Sequence, residues 1–130
     1  MSVPFSAGAV VYAKDISAVS AFYRDTAALR VVHAESDHVV LQSPGFQLVV
    51  VAIPNHIAES IHITKPPQRR QDTAVKLVLH VASIAAVRVA AQSLGGELDG
   101  PQREWNFQGS RVCDGHDPEG NVVQFREDAL

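Results

Sequence analysis

The sequence predicts an α+β fold made of two copies of one βαβββ module, and three observations predict it. An apolar run feeds a small polar residue twice, at Asp15 and at Ser83, and each of these begins a segment of Ala, Val and Ile at helical spacing. Near the end, Asp117-Pro118-Glu119-Gly120-Asn121 places Pro and Gly for a tight turn just before an alternating strand. With 130 residues and 46% hydrophobic content, the chain can bury one ordinary core, whereas each half alone would be marginal. The expected organisation is therefore a single domain with a module at 5–53, a connection at 54–74 and a second module at 75–127.

Ala7 to Ala13 is apolar and β-branched enough for a strand, and Asp15 follows where a helix N-cap stands, with Ile16, Val19, Phe22 and Tyr23 as the buried stripe. Leu29–Ala34, His38–Gln42 and Phe46–Ile53 read as three further strands, the last two joined by Ser43-Pro44-Gly45. In the second half, Val75–Val81 is a strand and Ile84–Leu94 a helix that Gly95-Gly96 ends. Ile84, Val87, Val89 and Leu94 are expected to pack that helix on its sheet. Glu97–Leu98, Gly109–Cys113 and Asn121–Arg126 complete the order. The connection carries Lys65-Pro66-Pro67 and a charged run to Asp72, with Ile61-His62-Ile63 as a short strand extension.

Composition removes several function classes. Eleven basic against 14 acidic residues give a net charge of −3 and a pI of about 6.0, too weak a field to collect nucleic acid or anionic lipid. No run approaches the ~18 apolar residues of a membrane span, and the start lacks a basic leader with an apolar core. A cytoplasmic protein without membrane or nucleic-acid partners is expected. The single cysteine, Cys113, excludes an intramolecular disulfide and a cysteine zinc cluster, and it reads as a small core residue. The six histidines lack HxH or HxxxH spacing and read as scattered polar residues. Asp114, Asp117 and Glu119 lack the spacing of an EF-hand loop. No nucleophile-base set is visible. Lys76 and His80 are a conceivable acid-base pair.

With Asp15 followed by Phe22-Tyr23, Val81-Ala82-Ser83 at the matching place and the run Asp117 to Phe125, the chain resembles the vicinal-oxygen-chelate superfamily of glyoxalase I, bleomycin-resistance proteins and extradiol dioxygenases. The resemblance spans about Phe5 to Glu127. It implies two βαβββ modules whose sheets curl around a shared concave cleft, in a homodimer. Enzymes of that superfamily hold one divalent metal at four strand positions, two per module, through His, Gln and Glu. By resemblance these positions fall on Gly8, Val49, Lys76 and Gln124, and only Gln124 carries a donor.

The expectation is a small-molecule-binding protein of the bleomycin-resistance type with no metal and no other cofactor, holding an apolar or aromatic ligand. Trp105 and Phe107, at alternate positions, supply rings to stack on a planar compound, and Arg103 or Arg111 a charge for an anionic group. Lys76, His80 and Gln124 add polar groups by strand parity, and Tyr12 and Val49 line the same site. Two alternatives remain open. One is a metal-dependent lyase, isomerase or dioxygenase with displaced ligands including His80 and Gln124, and the other is a protein-interaction module.

Overall fold

A computed structural model of the chain describes residues 5–128. The chain divides into two compact units, one ending at His62 and the other beginning at Ile63. The first unit runs β1 (Phe5–Ala13), α1 (Ile16–Ala27), β2 (Arg30–Ala34), β3 (His38–Ser43), β4 (Gly45–Ala52) and a single turn of helix, α2 (Asn55–Ala58). Its sheet has the order β1-β4-β3-β2, with β1 parallel to β4 and the other pairs antiparallel.

Local chemistry accounts for these elements. Asp15 caps α1 by accepting a hydrogen bond from the Ala18 N–H at 3.0 Å, which satisfies one of the helix's orphan donors. Val19, Phe22, Tyr23 and Thr26 repeat at helical spacing and are buried. The strands they face contribute Ala13, Leu41, Leu48 and Val50, all fully buried, while alternation turns Val10 and Tyr12 to the opposite, open face. Pro44 and Gly45 link β3 to β4, and Gly45 takes the positive φ of 83° that the second central residue of a type II turn requires.

The second unit runs β5 (Leu77–His80), α3 (Ile84–Ser93), β6 (Glu97–Leu98), a 3₁₀ turn at Pro101–Arg103, β7 (Trp105–Phe107), β8 (Ser110–His116) and β9 (Val122–Asp128). The order is β5-β9-β8-β6, with β7 paired to β8 and β5 parallel to β9. Ser83 caps α3 as Asp15 caps α1, accepting from the Ala86 N–H at 3.1 Å. Ile84, Val87 and Ala91 are buried with Leu79, Cys113, Val123 and Phe125.

Three expectations are corrected here. Trp105–Phe107 is a strand, which adds one to the second half. Its hairpin with β8 turns on Gln108 (φ 49°) and Gly109 (φ 80°), a pair of positive-φ residues without the usual Asn-Gly signature. Ile61–Ile63 forms no strand. Val89 is 72% exposed rather than packed on the sheet, because the stripe of α3 passes through Ile84, Val87 and Ala91 and leaves position 89 on the far side.

The Asp117–Asn121 turn is tied down from within. The buried Asp117 carboxylate accepts hydrogen bonds from the Glu119 and Asn121 backbone N–H groups at 2.9 and 3.1 Å. Gly120 has a φ of 84°, and a Cβ there would lie 2.1 Å from the Gln68 carbonyl oxygen. The Arg70 N–H donates to the Gly120 carbonyl at 2.9 Å. The irregular segment after Ile63 is thus pinned to the turn that launches β9.

Candidate functional site

Alternation along β5, β8 and β9 decides which side chains gather on the open face of the second sheet. The register pairs Val78 with Gln124, His80 with Arg126, Asp114 with Gln124 and Val112 with Arg126. Trp105 pairs with Val112 and Phe107 with Ser110, which puts both rings on that face. Cys113 and Phe125 point the other way into the core.

A continuous polar chain crosses this face. Lys76 Nζ donates to Asp114 Oδ2 at 2.8 Å, and Gln124 Nε2 donates to Asp114 Oδ1 at 3.2 Å. Arg126 Nε donates to Gln124 Oε1 at 2.9 Å. Arg126 also lies over the Phe107 ring, its guanidinium carbon 5.1 Å from the ring centroid, within cation–π range. At the far end, Ser110 Oγ donates to Asp128 Oδ1 at 3.1 Å and His80 Nδ1 stands 3.5 Å from the same oxygen. Gln124 is only 7% exposed, whereas Trp105 and Phe107 are 41% and 45% exposed. Two rings accessible to solvent therefore stand beside a buried amide whose orientation is set by its partners.

Of the residues singled out in the sequence, Lys76, His80, Trp105, Phe107 and Gln124 share this face. Tyr12 and Val49 lie on the open face of the first sheet, where Val49 pairs with Val10 and Tyr12 with Val51. Arg111 is placed elsewhere: it pairs with Asn106 on the opposite face, and its Nη1 donates to Glu104 Oε1 at 3.2 Å. Glu104 in turn binds Arg88 of α3. Arg103 faces Asp99 at 3.8 Å. The cation that the open face presents is Arg126, which the sequence reading passed over, although its even-numbered parity with Gln124 was available as a signal.

A second cluster lies at the β6–β8 end. Arg69 Nε donates to His116 Nδ1 at 2.9 Å and its Nη1 to Asp99 Oδ1 at 2.9 Å. Burial, reinforced by the Arg69 charge, pushes the His116 pKa below its usual value of 6.5, so the ring is held neutral with Nδ1 as acceptor. Burial raises the Cys113 thiol, which leaves it un-ionised in the core.

The resemblance drawn from the sequence gives Gly8, Val49, Lys76 and Gln124 as the expected ligand positions. Val10 and Val78 stand at the same offset before their helix caps and pair with Val49 and Gln124 respectively, so the two halves correspond at these positions. Gly8 and Val49 have no donor atoms, Lys76 is a cation bound to Asp114, and the Gln124 oxygen is engaged by Arg126. Among the described residues, no three His, Cys, Asp or Glu side chains converge in a metal-holding group.

The glyoxalase-like domain family model matches residues 8–125. The chain belongs to the glyoxalase-like domain family. Its βαβββ units are shared by solved structures of low sequence similarity. A glyoxalase/bleomycin resistance protein/dioxygenase family enzyme from Burkholderia phytofirmans PsJN superposes with a TM-score of 0.67 at 16% identity, over 94% of this chain and 97% of that one. A bleomycin resistance determinant encoded on transposon Tn5 gives 0.61 at 17% identity, covering 96% and 98%. The fosfomycin resistance protein FosX from Listeria monocytogenes gives 0.65 at 16% identity, covering 100% and 97%. At these identities the likeness is one of fold. No curated protein matches the sequence significantly. No helix among the described residues is long and apolar enough to cross a membrane.

Proposed function

We propose that this glyoxalase-like protein binds a small apolar or aromatic molecule without the metal used by the superfamily's enzymes, and that it does so as a cytoplasmic homodimer. The observation that carries this reading is the fate of Gln124. It is the one donor at the four family metal positions, and its amide is held at both ends, by Asp114 and by Arg126. A metal there would need Arg126 displaced and would gain a single neutral oxygen, far short of the three or four ligands that divalent ions require. The name of the Tn5 neighbour, a bleomycin resistance determinant, supports a small organic compound as the kind of molecule this fold can serve. Trp105 and Phe107 give a planar ligand two rings to stack on, while Lys76, His80 and Gln124 orient its polar groups.

The test is the metal content of untagged protein after loading with Zn, Ni, Mn or Fe and dialysis, followed by ligand screening on Trp105 fluorescence. Near-zero occupancy with quenching by aromatic compounds is the expected result. Stoichiometric metal that is lost on His80→Ala or Gln124→Ala would establish the enzyme reading with displaced ligands.

A further inference from the structure

The geometry points to Arg126 as an oxyanion anchor, and hence to an aromatic monocarboxylate as the class of ligand held on the open face of the second sheet. This inference rests on the binding reading above and sharpens it.

Arg126 is fixed on two sides. Its Nε is committed to Gln124 Oε1 and its guanidinium carbon lies over the Phe107 ring. The Gln124 amide cannot reverse without loss, because Asp114 accepts from its Nε2, so its oxygen always faces the arginine. This arrangement costs the guanidinium little further rotamer entropy when a ligand arrives. Its terminal nitrogens carry no hydrogen bond among the described residues. Arg24, Arg69, Arg88, Arg103 and Arg111 each reach a carboxylate, whereas Arg126, like Arg30 and Arg70, reaches none among the described residues, and Arg126 alone of these three stands half-buried beside exposed rings on this face. A partly desolvated guanidinium with two free nitrogens in a plane matches a carboxylate bidentately.

The neighbouring charges limit the ligand to one negative charge. Lys76 is paired with Asp114, whereas Arg126 reaches no carboxylate among the described residues, and Asp128 stands two residues along β9 on the same face, so one carboxylate can be met by the guanidinium while a dianion would meet carboxylate repulsion. Phe107 and Trp105 flank the anchor on β7, which places an aromatic body next to the acid group.

Calorimetry with 2-naphthoate and the isosteric, uncharged 2-naphthamide separates charge from ring stacking. The expected result is binding of the acid to the unmodified protein about tenfold or more tighter than the amide, as for a charge-assisted pair, with the preference weakening as salt rises. Arg126→Gln abolishes the preference, and Arg126→Lys retains part of it without the bidentate fork. Arg111→Gln, on the opposite face, leaves it unchanged. Thermal melts confirm that the variants fold, and the acid–amide comparison on unmodified protein needs no variant. Equal binding of acid and amide, or a preference that survives Arg126→Gln, overturns the anchor while leaving a binding face in place. Failure of both compounds to bind at millimolar concentration, with no response from Trp105, overturns the anchor and the binding reading together.

Discussion

The two units share topology and capping, yet their open faces differ in kind. In the first, the central positions are Val10, Val49 and Val51 with Val40 beside them, all hydrocarbon. In the second, the corresponding position to Val49 is Gln124, and it organises Lys76, Asp114 and Arg126 into one hydrogen-bonded chain. The same frame thus carries valines at its central open positions in one copy, with the Gln47–Gln42 hydrogen bond beside them, and an oriented chain of charged and amide groups in the other. Function in this fold lies in which side chains occupy the open positions, not in the path of the backbone.

The largest expected effect tests whether the second unit depends on its connection in a way the first does not. Gly120→Ala must accommodate both a positive φ and a Cβ 2.1 Å from the Gln68 carbonyl, which costs about 3 kcal/mol or more. Chemical denaturation should show that loss, whereas Gly45→Ala, with nothing within 4 Å of its added Cβ, loses only the φ strain.

Gln124→Val makes the second face resemble the first. It leaves Asp114 and Arg126 without their shared partner at a buried position, a cost of about 1–3 kcal/mol, and it should also release Arg126 from Phe107. An NMR spectrum in which the Arg126 side-chain signal stays unshifted would show that the chain of hydrogen bonds does not hold the arginine.

The helix caps sharpen the comparison from the side where the units agree. Asp15→Ala and Ser83→Ala should each cost about 1 kcal/mol, in equal measure if the two caps are the same device. A marked inequality in their melting temperatures would mean that one helix draws more of its stability from packing.

The smallest effect is a pH dependence confined to the second unit. The His116 pKa is lowered on folding, so the unfolded chain binds the proton more readily. The stabilisation is complete above the ordinary value of 6.5 and is lost as pH falls below it toward the folded pKa. Denaturation midpoints should therefore decline below that pH, and His116→Gln should remove this component of the slope. A slope unchanged in the variant would assign the acid sensitivity to other groups.

Much of the frame was legible because it depends on near neighbours. Asp15 and Ser83 cap helices because their side chains reach an N–H three residues on. The parity of Lys76, His80 and Gln124 follows from the two-residue repeat of strands. The β7 strand was missed because Gln108-Gly109 is an unusual turn pair and three residues are too few to show alternation. The role of Arg69 in pinning the connection was out of reach for another reason: its partners Asp99 and His116 are remote in sequence and meet it only after β6 and β8 pair.

The arginines mark the boundary most clearly. Composition and periodicity determined that this chain would form two βαβββ frames with little charge imbalance, the second of which gains β7, and that Trp105 and Phe107 would share a face. Which guanidinium serves that face was decided by tertiary structure. Arg111 is one strand position out of phase with the rings and is taken by Glu104, while Arg126 is brought over Phe107 by the pairing of β8 with both β7 and β9. A strand's alternation fixes the side on which a residue stands, but only the register between strands fixes its neighbours.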